Sequence, residues 1–241
     1  ALYAEATAAF QTGDFEKAGV KYQLALERAR ILKDEAGVGS SLAMLGSVHH
    51  ALKQYSKALE FYSAALPHFA AANNRSPEAF TLRQIGDVHR QMGNYNMALQ
   101  AFDRSLTIWD DLFAKGNTEE KLDITRERAP ILFFKAGAHE NLGQLAEAVK
   151  TYSDAAADFQ TTGELKTAGS ALWGAAETSM KMSLYFKKWE IYPMLLGPSG
   201  ALGWLFFEGA ISRKRRRRLQ KSSRLRSVKS SPTYSRKDIS A

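Results

Sequence analysis

Through the first 185 residues, apolar positions recur at spacings of three and four, in blocks broken by short polar turns. One block carries Leu42, Leu45, Gly46 and His49, and another Leu82, Ile85, Gly86 and His89. Beyond the turn that follows each come Tyr55, Ala58, Leu59, Tyr62, Ala65 and Leu66, then Tyr95, Ala98, Leu99, Phe102 and Leu106. Such spacing puts side chains on one face of a helix, so each unit predicts helix, tight turn, helix. The turns are near-copies of one another: QTGDFEKA (Gln11 to Ala18), ALKQYSKA (Ala51 to Ala58), QMGNYNMA (Gln91 to Ala98), NLGQLAEA (Asn141 to Ala148) and a degraded KMSLYFKK (Lys181 to Lys188). Their starts lie 40, 40, 50 and 40 residues apart. A fixed period of this kind predicts stacked helix pairs that bury their apolar faces against their neighbours. The fold class expected is all-α, and such a solenoid is a binding surface first.

Gly13, Gly93 and Gly143 stand where the first helix of a unit must end, a place for a residue that tolerates positive φ. Gly46 and Gly86 fall in mid-helix, where glycine costs about 1 kcal/mol against alanine. A close helix–helix contact is the expected compensation. Ala18, Ala58, Ala98 and Ala148 recur after the turn, as a crossing point that admits only a small side chain would require.

These positions carry a family resemblance: the chain resembles a tetratricopeptide repeat array. The family's small residue in the first helix falls on Ala6, Gly46, Gly86, Ala136 and Ala176, and that early in the second helix on Ala18, Ala58, Ala98 and Ala148. The aromatic that follows falls on Tyr22, Tyr62, Phe102 and Tyr152, and the later small residue on Ala25, Ala65, Ser105 and Ala155. A period of 40 in place of about 34 is similar to the long-repeat subgroup. The stretch from Ala65 to Leu99 is especially similar to arrays in large multidomain signalling proteins. The resemblance implies a right-handed superhelical solenoid of antiparallel helix pairs over residues 1–185, as four repeats and a truncated fifth. Two departures stand out. Ten extra residues fall within Asp110 to Arg128, which predicts longer helices or a bulged loop, and Lys188 occupies the alanine position of the fifth repeat.

In this family the first helices line the concave groove. The equivalent positions here are Tyr3, Thr7 and Phe10; Ala43, Ser47 and His50; Arg83, Asp87 and Arg90; Phe133, Gly137 and Glu140; Trp173, Glu177 and Met180. Arginine grips carboxylates bidentately and aromatic residues supply rigid apolar contact. His50, Arg83, Asp87, Arg90, Phe133, Glu140, Trp173 and Glu177 are therefore the candidate partner-binding residues, for a peptide or helix with acidic and apolar anchors. The plainer alternative is that they make pairs within the array. Chaperone-binding members clamp a C-terminal carboxylate with Lys, Asn and Arg. Here Tyr3, Thr7 and Met44 replace the first Lys and both Asn, which argues against a co-chaperone role.

Catalytic chemistry is not encoded in any recognisable form. There is no cysteine, hence no disulfide, thiolate metal site or cysteine nucleophile. His49, His89 and His139 share one repeat position, where packing between helices is the expected role and metal binding the alternative. HExxH, GxxxxGK[ST] and GxSxG are all missing, and Gly37-Val38-Gly39 follows no strand. The paired carboxylates Asp110-Asp111 and Glu119-Glu120 sit on polar stretches and read as solvated. The expectation is a scaffold without catalytic residues, metal or cofactor.

The net charge of +8 is unevenly spread. Residues 213–241 hold twelve of the 33 Lys and Arg and one of the 25 Asp and Glu, so the rest of the chain is mildly acidic. Residues 186–211 form an apolar, Gly- and Pro-containing segment, and 212–241 are expected to be a basic, disordered tail. An apolar stretch followed by Arg213, Lys214, Arg215, Arg216, Arg217 and Arg218 outlines a membrane span with a basic flank. Pro193, Pro198 and Glu208 oppose a span, leaving an interfacial anchor, or a cover over the end of the array, as alternatives. The six basic residues also suit an anionic membrane or nucleic acid, and a tethered adaptor is the alternative function. An alternative exon, or translation of sequence not normally coding, would produce the same break after Tyr185. The absence of cysteine suits a cytoplasmic setting, with membrane or nuclear association through residues 191–218 as the alternative. The chain begins at Ala1 inside a predicted helix, so an upstream piece is expected.

Overall fold

The helices alternate as the turn motifs predict. The computed structural model describes the backbone of residues 2–188 and the side chains of residues 2–184. In order these are α1 (Leu2–Gln11), α2 (Phe15–Ile31), α3 (Glu35–Ala51), α4 (Tyr55–Ala71), α5 (Arg75–Gln91), α6 (Tyr95–Lys115), α7 (Thr118–Asn141), α8 (Leu145–Thr161) and α9 (Leu165–Lys188). No strand occurs among the described residues. The apolar stretch 191–211 and the basic run Arg213 to Arg218 lie outside them, and with them every expectation of a span, anchor or tail. Among the described residues no helix is long and apolar enough to cross a membrane.

Among the described residues, seven of the eight connections are three residues long and close in one way. At the first, Gly13 N–H donates to the Phe10 carbonyl and Asp14 N–H to the Ala9 carbonyl, at 3.0 and 2.9 Å. This double return satisfies carbonyls left over at the helix end and needs a left-handed residue in the middle of the turn. Gly93 takes that conformation at φ +77°. Lys33, Lys53 and Asn73 take it without glycine, at φ 55°, 59° and 51°, a cost of about 1–2 kcal/mol each. The fifth predicted turn does not form. Ser183 replaces the glycine there, and α9 runs unbroken through Lys181 to Lys188.

The mid-helix glycines are explained by contact. A Cβ on Gly46 would lie 2.6–2.9 Å from the ring of Tyr62, and one on Gly86 2.5–3.0 Å from the ring of Phe102. Both rings are fully buried. Ala6 and Ala136 occupy the same register and are buried, but Ala176 is exposed, because no second helix follows α9 among the described residues.

The ten extra residues lengthen helices without bulging a loop. α6 has 21 residues and α7 has 24, against 17 in α2 to α5, and only Gly116 and Asn117 connect them. Asn117 caps α7, accepting from Glu119 and Glu120 N–H at 3.0 Å, while Glu120 Oε2 accepts from Asn117 N–H at 2.8 Å. The added turns are apolar on one side: Ile108, Trp109 and Ile124 join the core that Leu82, Phe102, Leu132 and Phe159 build.

The repeated histidines pack between helices, and they divide by their partner. His49 Nδ1 donates to Gln54 Oε1 at 2.6 Å and stacks on Phe61 with centroids 5.1 Å apart. His139 does the same with Gln144, at 2.6 Å. His89 has Asn94 at that place, one methylene too short, and its buried Nδ1 finds no acceptor. Burial pushes the His89 imidazole below its ordinary value. The neutral ring is therefore favoured by folding, and the associated stability, present above about pH 6.5, is lost as the pH falls through the lowered value. Asn94→Gln is expected to add about 0.5–1.5 kcal/mol and to raise the His89 pKa. Thermal melts at pH 5 and 7.5, with an NMR titration of His89, check both. Unchanged melts at either pH would refute the missing-partner account.

Candidate interaction groove

α3 touches α5 and α5 touches α7, whereas no two second helices make comparable contact among the described residues. First helices therefore form the inner row of the curve, and the groove residues lie on their free faces.

Tyrosines of the second helices reach this face and occupy its polar groups. Tyr22 Oη and Thr7 Oγ1 are 3.1 Å apart. Tyr62 Oη donates to Ser47 Oγ at 3.1 Å, and burial pushes its pKa up to about 12. The third repeat breaks the pattern because Phe102 has no hydroxyl to spend on Asp87. Asp87 Oδ1 instead accepts from Arg90 Nε and Nη2 at 3.0 and 2.7 Å, and Oδ2 from Gln91 Nε2 at 2.8 Å. Gln91 Nε2 also meets His50 Nε2 at 2.9 Å, and that nitrogen lies 3.9 Å from Asp87 Oδ2. The Arg90 guanidinium rests over Phe134, 4.9 Å from the ring centroid.

Arg83 is different. Its guanidinium lies over the Phe80 ring at 4.5 Å, its buried Nε has no acceptor, and it makes no ion pair among the described residues. Burial lowers its pKa, opposed by the charges of Glu127 and Asp87. Arginine stays protonated under such shifts, so the middle of the inner row presents a partly desolvated cation.

Further along, Tyr152 Oη donates to Glu140 Oε2 at 3.3 Å. Burial, with the Glu140 charge added, pushes the Tyr152 pKa up to about 12. Lys181 Nζ bridges Glu140 at 2.5 Å and Glu177 at 3.5 Å. Phe133 meets Tyr152 edge-on at 5.5 Å, and Trp173 is 65% exposed.

Of the eight candidate residues, His50, Asp87 and Arg90 are tied into one network, and Glu140 and Glu177 share Lys181. Phe133 packs edge-on against Tyr152, and Trp173 is exposed. Arg83 makes no ion pair among the described residues, though the charges of Glu127 and Asp87 act on it. Sequence reasoning missed Phe80, Phe134 and Gln91, which set the two arginines and join His50 to Asp87. Phe80 stands three residues before Arg83, a helical-neighbour spacing that could have drawn attention to it. Gln91 likewise stands four residues after Asp87, whereas its contact with His50 and that of Phe134 with Arg90 cross between helices, which no spacing reveals. The six tail residues Arg213 to Arg218 lie outside the described residues. No group of three His, Asp or Glu among the described residues could hold a metal ion.

Helix pairs stacked in this way, with polar and aromatic groups on the inner row, define an all-helical repeat scaffold for protein binding. Residues 1–71 and 84–108 each match a tetratricopeptide repeat model. Residues 1–71 and 84–108 therefore carry tetratricopeptide repeats. Comparison with curated proteins finds none that matches. Among solved structures it is similar to a signal transduction ATPase with numerous domains and a tetratricopeptide repeat sensor, from Pyrococcus horikoshii. That likeness has 17% identity and TM-score 0.65, and covers 88% of this chain and 33% of the other. It also resembles aspartyl phosphate phosphatase F from Bacillus subtilis (16%, TM-score 0.60, 100% and 62%). A third is a Rap protein complexed with competence and sporulation factor (20%, TM-score 0.57, 84% and 54%). The chain thus spans from a third to under two thirds of the length of these three structures. At such identities the likeness is one of fold.

Proposed function

We propose that the inner row of first helices binds a peptide or helix of a partner protein through an acidic anchor on Arg83 and apolar contacts to Phe80, Phe133 and Trp173. His50, Asp87, Arg90, Glu140 and Glu177 frame this site and fix its register, and the chain performs no catalysis of its own. The observation that carries the reading is Arg83: a cation partly withdrawn from water that makes no ion pair among the described residues, the charges of Glu127 and Asp87 acting on it without contact. A carboxylate delivered there would gain a charge-assisted pair without breaking an existing one. A Rap protein of similar fold is complexed with competence and sporulation factor, a precedent for a fold of this kind holding a partner. The array is taken to occupy residues 1–185.

A peptide array presented to the full chain tests this. Enriched peptides are expected to pair Asp or Glu with Leu, Phe or Met. Arg83→Ala is expected to weaken the best of them by about tenfold, or 1.4 kcal/mol, and Arg83→Lys to recover part of the loss. Arg90→Ala should cost less, since its charge is already spent on Asp87. Equal binding by the Arg83→Ala, Arg90→Ala double variant would overturn the assignment.

A further inference from the structure

We infer that the protein has a second docking surface, on the outer side of the first two repeats, built to receive an amphipathic helix of a partner with an aliphatic anchor beside a Lys or Arg. A groove of roughly 440 Å³ lies between α2 and α4, with the end of α3 as its floor. Leu45, Val48 and Leu52 line the floor, Gly19, Val20 and Leu24 one wall, and Phe61 the other.

Comparison with the other repeats accounts for the opening. The positions equivalent to Gly19 are Leu59, Leu99 and Val149. Leu59 packs against the core that Ile85, Val88 and Ala101 form, so the next repeat fills this place with its own side chain. At Gly19 the filling is missing: a Cβ there would meet only Val48 Cγ1, at 3.7 Å. The rim is altered in the same sense. Val20 replaces Glu60, Gln100 and Lys150, and Leu24 replaces Ala64, Arg104 and Asp154. Val20 is 63% exposed and Leu24 45%. A hole the size of one aliphatic side chain and an apolar rim thus occur together in one repeat, where polar surface is the pattern elsewhere. Grooves of this kind take the apolar face of a helix.

Charge selects among such helices. Glu16 is the one acidic residue that lines the groove, it is exposed, and it makes no ion pair among the described residues. Ser56, Asn96 and Ala146 stand at its place in the other repeats. An unpaired carboxylate at the mouth of an apolar groove complements a cation one turn from the anchor and repels an acidic helix.

The probe is a fluorescein-labelled synthetic amphipathic helix of leucine, alanine and lysine. Its control has every lysine replaced by glutamate, and anisotropy with the full chain is the readout. In the Arg83→Ala chain, which removes the inner-row anchor, the lysine helix is expected to bind and the glutamate helix to bind at least about tenfold more weakly. Gly19→Leu, which copies Leu59, is expected to raise the melting temperature and to weaken the lysine helix by about tenfold or more, because the protein then fills its own groove. Val20→Glu with Leu24→Ala, which copies Glu60 and Ala64, changes only exposed positions and should weaken it similarly. Arg83→Ala should leave it unchanged, which separates this surface from the inner row. The inference is overturned if the lysine helix does not bind, if the glutamate helix binds the Arg83→Ala chain equally, or if Gly19→Leu folds and binds as before. Self-association abolished by Gly19→Leu in sedimentation would also overturn it, by assigning the groove to a second copy of the chain.

Discussion

Phe102→Ala is expected to cost about 3–5 kcal/mol, the largest loss from a single substitution in the array. Its ring is fully buried and lies against Gly86 where α5 crosses α6, inside the core shared with Leu82, Leu106 and Leu132. The converse substitution is the sharper test. Gly86→Ala gains about 1 kcal/mol of helix propensity, yet the new Cβ would sit 2.5 Å from Cδ1 and Cε1 of that ring. Overpacking of a closed core costs about 1–3 kcal/mol, so a net loss is expected. Gly137→Ala, one residue past the same register in α7, meets nothing nearer than Tyr152 Oη at 3.6 Å and should stabilise. A double variant, Gly86→Ala with Phe102→Leu, should recover part of what Gly86→Ala loses relative to its own Phe102→Leu background. Urea denaturation of these four variants and of the Phe102→Leu single measures this. A stabilising Gly86→Ala would remove the explanation given for both mid-helix glycines.

The second large effect lies in the inner row. Asp87→Ala is expected to destabilise by about 1.5–3 kcal/mol, because Arg90, Gln91 and His50 all turn to this one carboxylate. Asp87 and Arg90 are only partly exposed, with side chains at 16% and 32%, so solvent screening removes less of this than at a surface pair. Arg90→Ala should cost less, since Gln91 keeps its bond to Asp87 and to His50. A melting temperature of Asp87→Ala within a degree of the unaltered chain would sink the network. Loss of stability in Asp87→Ala with full retention in Arg90→Ala and Gln91→Ala would place the effect in Asp87 alone.

Much of the fold was legible because helix pairs are decided locally. Turn residues, apolar spacing and small residues at crossings all recur at one period, and each repeat meets only its neighbours. The fifth turn misled because its residues still resembled the motif through Met180, Met182 and Tyr185. What a turn needs is one residue willing to go left-handed, and Ser183 replaced it. Likewise the ten-residue insertion was visible as a length but not as a shape. Asn117 and Glu120 close a cap that lets α7 begin early, and the extra turns find apolar partners in Trp109 and Ile124.

The groove was legible as a row of positions and not as chemistry. Repeat register placed Arg83 and Arg90 alike on one face, but it could not tell which charge was already neutralised. That depended on Phe102 withholding a hydroxyl from Asp87, and on Phe80 and Phe134 lying under the two guanidiniums. By itself the sequence determined the helix pairs and their order, because these follow from short-range spacing and turn chemistry, while the inner face came with the resemblance to the tetratricopeptide repeat family. Only the tertiary structure decided that His50 and Phe134 join the Asp87–Arg90 pair, that Arg83 makes no ion pair among the described residues, and that Gly19 leaves a groove. Asp87 and Arg90 are neighbours on one helix, but what each of these groups meets beyond its own helix is set by packing, not by period.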